Sequence, residues 1–505
     1  MPSRAGLIAA FLATAFVTLT TSRRGVRAAE PPRPNVLFCI ADDWSYPHAG
    51  AYGDPVVKTP AFDRVAREGV LFTRSFCAAP SCSPSRAALL TGRYPHELRH
   101  GAQLWGSLPA KYAVYPDLLE AAGYRVGLQG KGWGPGQLGE RKRNPAGRNF
   151  PSFEKFLESV PKGEPFCFWY GSSDPHRPYV EGTGAAAGMK PGDVKVPAFL
   201  PDTPEVRGDV LDYYFEVQRF DENVGRMIAL LESTGRLDNT LVIITSDNGM
   251  PFPRAKANLY DSGCRMPLAV RWGAKVKGGR KEDAFVSHVD VAPTLLEAAG
   301  VGVPPEMTGR SLMPLLSPDG ADRSRQPSRD RVYFERERHA NVREGDVGYP
   351  ARAVRTDKFL YVRNFKPDRW PAGDPKMWFA VGPFGDIDGG ISKDVVLRGE
   401  GGNGEAVGAY FRLAAAKRPA EELYDLEKDP EQIQDVGAIV EYAGRLAELR
   451  KDLDSWMKRT HDPRAPGGDP AAADEFDRYP YYGGGARPAT RPGRPNRPAT
   501  RPAGR

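Results

Sequence analysis

The chain is predicted to fold as α/β, with a large, mostly parallel sheet flanked by helices and a smaller α+β domain after it. Three observations carry this. Short apolar runs end repeatedly at polar clusters, helical periodicities stand between them, and the texture changes after about residue 320 to a charged, proline-rich connection. The apolar runs 35–41, 125–130, 165–170 and 241–245 read as buried strands. Between them, 59–68, 115–122 and 209–233 read as helices; the longest repeats Val210, Tyr214, Val217, Val224, Ile228 and Leu231 and stops at Gly235. Such alternation places helices on both faces of one sheet. Beyond residue 320, strands at 331–334, 352–355 and 359–364 and a helix at 441–457 make up the smaller domain.

Composition sets the bounds. A chain of 505 residues with 40% apolar content supports a large core and two to three domains. Residues 1–28 carry an early arginine, an apolar run from Ala5 to Leu19 and small residues near Ala28, the pattern of a cleaved signal peptide. Export is expected, to the periplasm or the extracellular space, with no membrane span after cleavage. The expected division is a catalytic domain over 29–325, a C-terminal α+β subdomain over 326–482, and a disordered Pro/Arg/Gly-rich tail over 483–505.

The net charge of +7 invites a polyanion or nucleic-acid reading, so its location matters. Four leader arginines and six tail arginines more than account for it, leaving the body at −3. The tail lacks the apolar residues that would offset its ordering entropy. No nucleic-acid partner is expected. Five cysteines are too few for a disulfide scaffold: Cys39 and Cys167 lie in strand runs, Cys77 and Cys264 are free or paired, and Cys82 remains.

In sheets of this kind ligands bind beyond the carboxyl ends of the strands. There the sequence places Asp42-Asp43, Lys131 and Asp247-Asn248, with His176 in the loop after the 165–170 run. Adjacent carboxylates are costly to keep ionised together unless a divalent cation neutralises them, and an all-oxygen set favours calcium or magnesium. Lys131 is placed to meet an anionic oxygen. His176 is placed to protonate a leaving group.

Residues 82–93, CSPSRAALLTGR, read alone as a short helix with Pro84 in its first turn and Leu89 and Leu90 facing inward. They also resemble the signature of type I sulfatases, in which this cysteine is oxidised to Cα-formylglycine. The resemblance extends to P-N-x5-A-D-D at 34–43, G-K at 130–131, D-P-H at 174–176 and D-N-G at 247–249. Within the family the chain looks most like the heparan N-sulfatases (sulfamidases), through 81–86, 174–177, 245–253, 258–260, 349–352 and 460–463.

The resemblance implies an alkaline-phosphatase-like fold and hydrolysis of a sulfated carbohydrate, N-sulfoglucosamine or an O-sulfate ester. It implies Cys82 as the formylglycine, a catalytic Arg86, Lys131 on sulfate and His176 as the acid. Asp42, Asp43, Asp247 and Asn248 would be the calcium ligands, and Lys256, His339 and Arg352 would contact substrate. The implied partners are the sulfated carbohydrate, a formylglycine-generating or sulfatase-maturating enzyme and, as an option, a second copy in a homodimer. One position departs: Gly132-Trp133 stands where the family has a histidine near the nucleophile, leaving His339 or His48 as substitutes. Two other readings stay open, a catalytically silent sulfated-glycan binder and a phosphonate or phosphate ester hydrolase.

Overall fold

The structure is a computed structural model, and it describes residues 33–317, 327–376, 382–399 and 405–483. The expected signal peptide and the basic tail beyond Gly483 lie outside them. Among the described residues the larger sheet has nine strands: β1 Asn35–Ala41, β2 Val70–Phe76, β3 Arg125–Gly130, β4 Arg148–Asn149, β5 Phe166–Gly171, β6 Thr240–Ser246, β7 Arg265–Arg271, β8 Arg280–Glu282 and β9 Val286–Ser287. Their order is β4-β3-β5-β1-β6-β7-β2-β8, with β9 also paired to β2. From β4 to β6 neighbouring strands run parallel, whereas β7 is antiparallel to both β6 and β2.

Strand alternation assigns each face its own core. Leu37, Cys39, Phe166, Phe168, Val242 and Ile244 pack with helices α1 Pro60–Glu68 and α4 Pro204–Ser233. Val36, Phe38, Ile40, Trp169, Leu241 and Ile243 face the other way, onto α2 Cys82–Thr91, α3 Tyr115–Ala121 and α5 Val291–Ala298. Helix α4 begins five residues before the expected start. Pro204 suits a first helical position, and the Thr203 side chain accepts a hydrogen bond from the Val206 N–H.

A second sheet, β10 Arg331–Arg336, β11 Ala351–Thr356, β12 Phe359–Asn364 and β13 Glu421–Asp425, is antiparallel throughout. Tyr333, Val354, Tyr361 and Leu423 pack on Leu449, Leu453 and Trp456 of the C-terminal helix α7 Ala443–Arg459. The opposite face, through Phe334, Ala353 and Val362, joins Phe76, Cys77 and Phe285 from the larger sheet and its margins. One further helix, α6 Ile391–Leu397, packs against α4. No helix among the described residues is long and apolar enough to cross a membrane.

Candidate active site

Register brings the acidic clusters together. Strands β1 and β6 are parallel neighbours with Ala41 opposite Ser246, so Asp42-Asp43 and Asp247-Asn248 leave the sheet side by side. Asp43 turns through the left-handed region, φ 78°, which aspartate tolerates better than most residues. Its backbone N–H donates to Asp247 Oδ1 at 3.1 Å, and Asn248 Nδ2 donates to Asp43 Oδ1 at 2.7 Å.

Cys82 opens helix α2 and places Sγ 3.5 Å from Asp42 Oδ1. Arg86, one turn later on the same face, is fully buried. Its Nε meets Asp247 Oδ2 at 2.7 Å, Nη2 lies 3.6 Å from Asp42, and Nη1 donates to the carbonyls of Lys131 and Gly132. Lys131 follows β3 through Gly130, whose φ is 79° and where a Cβ would stand 2.2 Å from the Gly171 carbonyl oxygen, so a side chain is excluded. Its ammonium contacts both Asp42 oxygens, at 2.6 and 2.8 Å. On the opposite side Lys256 Nζ lies 2.8 Å from Asp43 and 3.0 Å from Asp388.

His176 reaches the cluster from the loop after β5. Its Nδ1 donates to the Arg177 carbonyl at 2.6 Å, leaving Nε2 toward Asp43 Oδ2 at 3.8 Å. Arg177 is itself held by two hydrogen bonds to Asp209 and stacks on Tyr179 and Phe252.

The electrostatics follow from burial and sign. Burial alone would raise the Asp42 carboxyl, but Lys131, His176, Arg86 and Lys256 hold it well below the ordinary range. Asp247 goes the other way: burial, opposed by Arg86 and aided by repulsion from Asp42, pushes it up to about 6. Burial also drives the Cys82 thiol well above its usual value, against the pull of Lys131, so the sulfur is a neutral thiol. Lys131 and Lys256 keep their charges because neighbouring carboxylates outweigh their burial.

The donor set fits a hard divalent cation. Asp42, Asp43, Asp247 and Asn248 offer oxygens only, and Asn248 Oδ1 is a buried acceptor without a hydrogen-bond partner. The carboxylates of Asp42 and Asp43 and the Cys82 sulfur also lie within 4.8 Å of one another.

Not every expected residue joins this cluster. Arg352 stands apart, spent on a buried network with Asp462 at 2.6 Å, Glu337 at 2.8 Å and Glu335 at 3.4 Å. The structure thus places it in the packing of the second sheet, not on the pocket. His339 lies behind the start of α2, with Nδ1 2.8 Å from Ser81 Oγ, and burial lowers it to about 4. His48 is 3.2 Å from Tyr213 Oη among the aromatics of α4 and is also lowered by burial to about 4. Trp133 is buried, its backbone N–H donating to Asn144 Oδ1. Sequence reasoning missed Asp388 and the Arg177–Asp209 pair. The one signal for Asp388 is the acidic, glycine-rich run Gly385-Asp386-Ile387-Asp388-Gly389-Gly390.

A mostly parallel sheet with an oxygen cluster, two lysines and a helix-start cysteine at its strand ends defines an alkaline-phosphatase-like hydrolase. Residues 34–153 and 140–301 match the sulfatase family, and 254–376 match "N-sulphoglucosamine sulphohydrolase, C-terminal". The chain belongs to the sulfatase family, and so to the hydrolases of sulfate esters and sulfamides. It is 31% identical to human N-sulphoglucosamine sulphohydrolase over 485 residues, 85% of this chain and 91% of that one. It is 28% identical over 487 residues to an ulvan-active sulfatase of Formosa agariphila, 87% of this chain and 78% of that protein. A protein solved in complex with its substrate D-glucosamine-2-N,6-O-disulfate aligns with a TM-score of 0.61. At 21% identity, over 86% of this chain and 99% of that one, this likeness concerns the fold.

Proposed function

We propose that the chain is an exported sulfatase that removes sulfate from a sulfated carbohydrate of the N-sulfoglucosamine type, with Cys82 converted to Cα-formylglycine. The observation that carries this is Cys82 itself, a buried thiol 3.5 Å from Asp42 at the start of a helix. Burial disfavours its thiolate, the nucleophilic form of an unmodified cysteine. The hydrated aldehyde supplies one hydroxyl to attack sulfur and a second whose deprotonation expels sulfate, so no water need hydrolyse a sulfated enzyme. A calcium ion held by Asp42, Asp43, Asp247 and Asn248 would supply positive charge beside the sulfate oxygens.

The remaining roles fall to the chain's own groups. Lys131 and Lys256 bind sulfate oxygens from opposite sides of the pocket, and Arg86 locks Asp247 and the Lys131 backbone in place. The positive end of the α2 dipole, at Cys82, favours an anion. His176 delivers a proton from Nε2 to the departing atom, because its Nδ1 is occupied by the Arg177 carbonyl. The domain division proposed is catalytic over 29–325 and C-terminal over 326–482, after a signal peptide over 1–28.

The test is sulfate release from purified, matured protein across N-sulfoglucosamine, glucosamine 6-O-sulfate and an aryl sulfate. Activity on N-sulfoglucosamine is expected. Release only from the esters would move the substrate class to O-sulfated sugars.

A further inference from the structure

One carboxylate at the pocket is left unused by that chemistry. Asp388 lies with Asp43 and His176 in a group whose ligand atoms are all within 4.8 Å of one another. Three side chains of the cluster reach solvent, His176 at 37%, Asp388 at 24% and Lys131 at 23%, while Asp43 and Arg86 have none exposed. Asp388 and His176 therefore border the mouth of the pocket, where the group leaving sulfur must lie.

The segment carrying Asp388 is tied down on every side. Asp386 is buried between Arg336 and Arg343 at 2.7 Å from the latter, and accepts from the Ala340 N–H. Lys393 Nζ donates to the carbonyls of Phe384 and Ile387. Asp209 joins Arg177 to Ser392, accepting from the Ser392 N–H and hydroxyl, and the Arg177 guanidinium packs where a Gly390 side chain would stand. Asp388 is thus fixed relative to His176 through the clamp that sets His176.

Lys256 occupies Asp388 Oδ2 at 3.0 Å, and at the mouth of an anion site the other carboxylate oxygen disfavours a substrate that brings it no hydrogen-bond donor. Sulfated sugars differ at this point: the bridging nitrogen of a sulfamate carries N–H, whereas the bridging oxygen of a sulfate ester carries no hydrogen. Resting on the N-sulfoglucosamine reading above, we propose that Asp388 accepts a hydrogen bond from the sulfamate N–H and so selects N-sulfated over O-sulfated sugars. Cleavage breaks the S–N bond, and with water consumed overall the products are sulfate and an amine that gains two protons, the first from His176. The same carboxylate then pairs with the ammonium product.

The test compares wild type, Asp388→Asn and Asp388→Ala on N-sulfoglucosamine and 4-nitrophenyl sulfate, with thermal melting to confirm folding. Loss of the carboxylate is expected to lower kcat/KM on the sulfamate about ten- to a hundredfold more than on the aryl sulfate, the worth of a charge-assisted hydrogen bond. Calorimetric titration gives a second readout: D-glucosamine should bind wild type more tightly than D-glucose, and Asp388→Ala should lose that preference. Equal losses on both substrates, with the preference intact, would mean that Asp388 only positions Lys256 and would overturn the inference alone. A wild type that cleaves 4-nitrophenyl sulfate but not N-sulfoglucosamine would overturn the substrate reading and this inference with it.

Discussion

Arg86 Nε and Asp247 Oδ2 meet at 2.7 Å with neither side chain exposed, and the same guanidinium holds the two carbonyls that follow β3. One residue of α2 thereby ties the helix that begins at Cys82 to two strand ends. Arg86→Ala leaves Asp247 buried without its ion-pair partner, and should cost about 3–5 kcal/mol of stability. Cys82→Ala removes one sulfur atom and should cost about 1 kcal/mol while abolishing sulfate release. Denaturant unfolding of the two variants checks the contrast, and similar losses would refute the structural role of Arg86.

The oxygen cluster predicts a cation-dependent melting temperature. Calcium at a hundredfold excess over its Kd should add about 2.7 kcal/mol of stability, reversed by chelation. Asn248→Ala removes the unpartnered Oδ1 and should shrink the calcium-induced rise. A melting temperature indifferent to calcium and chelator in the wild-type protein would rule against the site.

Much of this was legible in the sequence because its causes are local. Strands β1, β5 and β6 are nearly continuous apolar runs, and the acidic clusters follow β1 and β6 side by side because parallel strands in register finish together. Strands β2, β7 and β8 escaped notice, since β2 pairs with the other two across roughly two hundred positions, and the two-residue β4 is too short to show a pattern. The surroundings of Arg352 are hidden in the sequence for a related reason. Its motif looks like a substrate contact, but Glu335, Glu337 and Asp462, which occupy it, converge only in the folded second sheet. Asp388 sits in no periodic pattern, and its place beside His176 depends on Asp209 and Ser392 across the fold.

The pair of His96 and Glu335 gives a pH signature away from the pocket. Burial opposes charge on the ring, but Glu335, 2.5 Å away, and Asp462 outweigh it and raise His96 from 6.5 to about 9. The folded state then binds the proton more tightly than the unfolded chain. Its contribution is fully present below pH 6.5 and is lost as pH rises through about 9. Melting temperature should decline over that window, and His96→Gln should remove this part of the slope. A variant with an unchanged slope would contradict the assignment.

His176→Ala should reduce turnover of a sulfated sugar by about 10² to 10⁴-fold, the usual worth of a positioned acid. An aryl sulfate, whose phenolate leaves without help, should lose far less. Steady-state rates on the two substrates decide this, and equal losses would make His176 a sulfate contact and not the acid.

The central claim is that Cys82 acts as an aldehyde and not as a thiol. Mass spectrometry of the peptide containing Cys82, on protein matured to different extents, tests it most directly. The mass change of a thiol replaced by an aldehyde should be present, and the modified fraction should rise in proportion to sulfate release. Full sulfate release from a chain whose Cys82 is entirely unmodified would contradict the account.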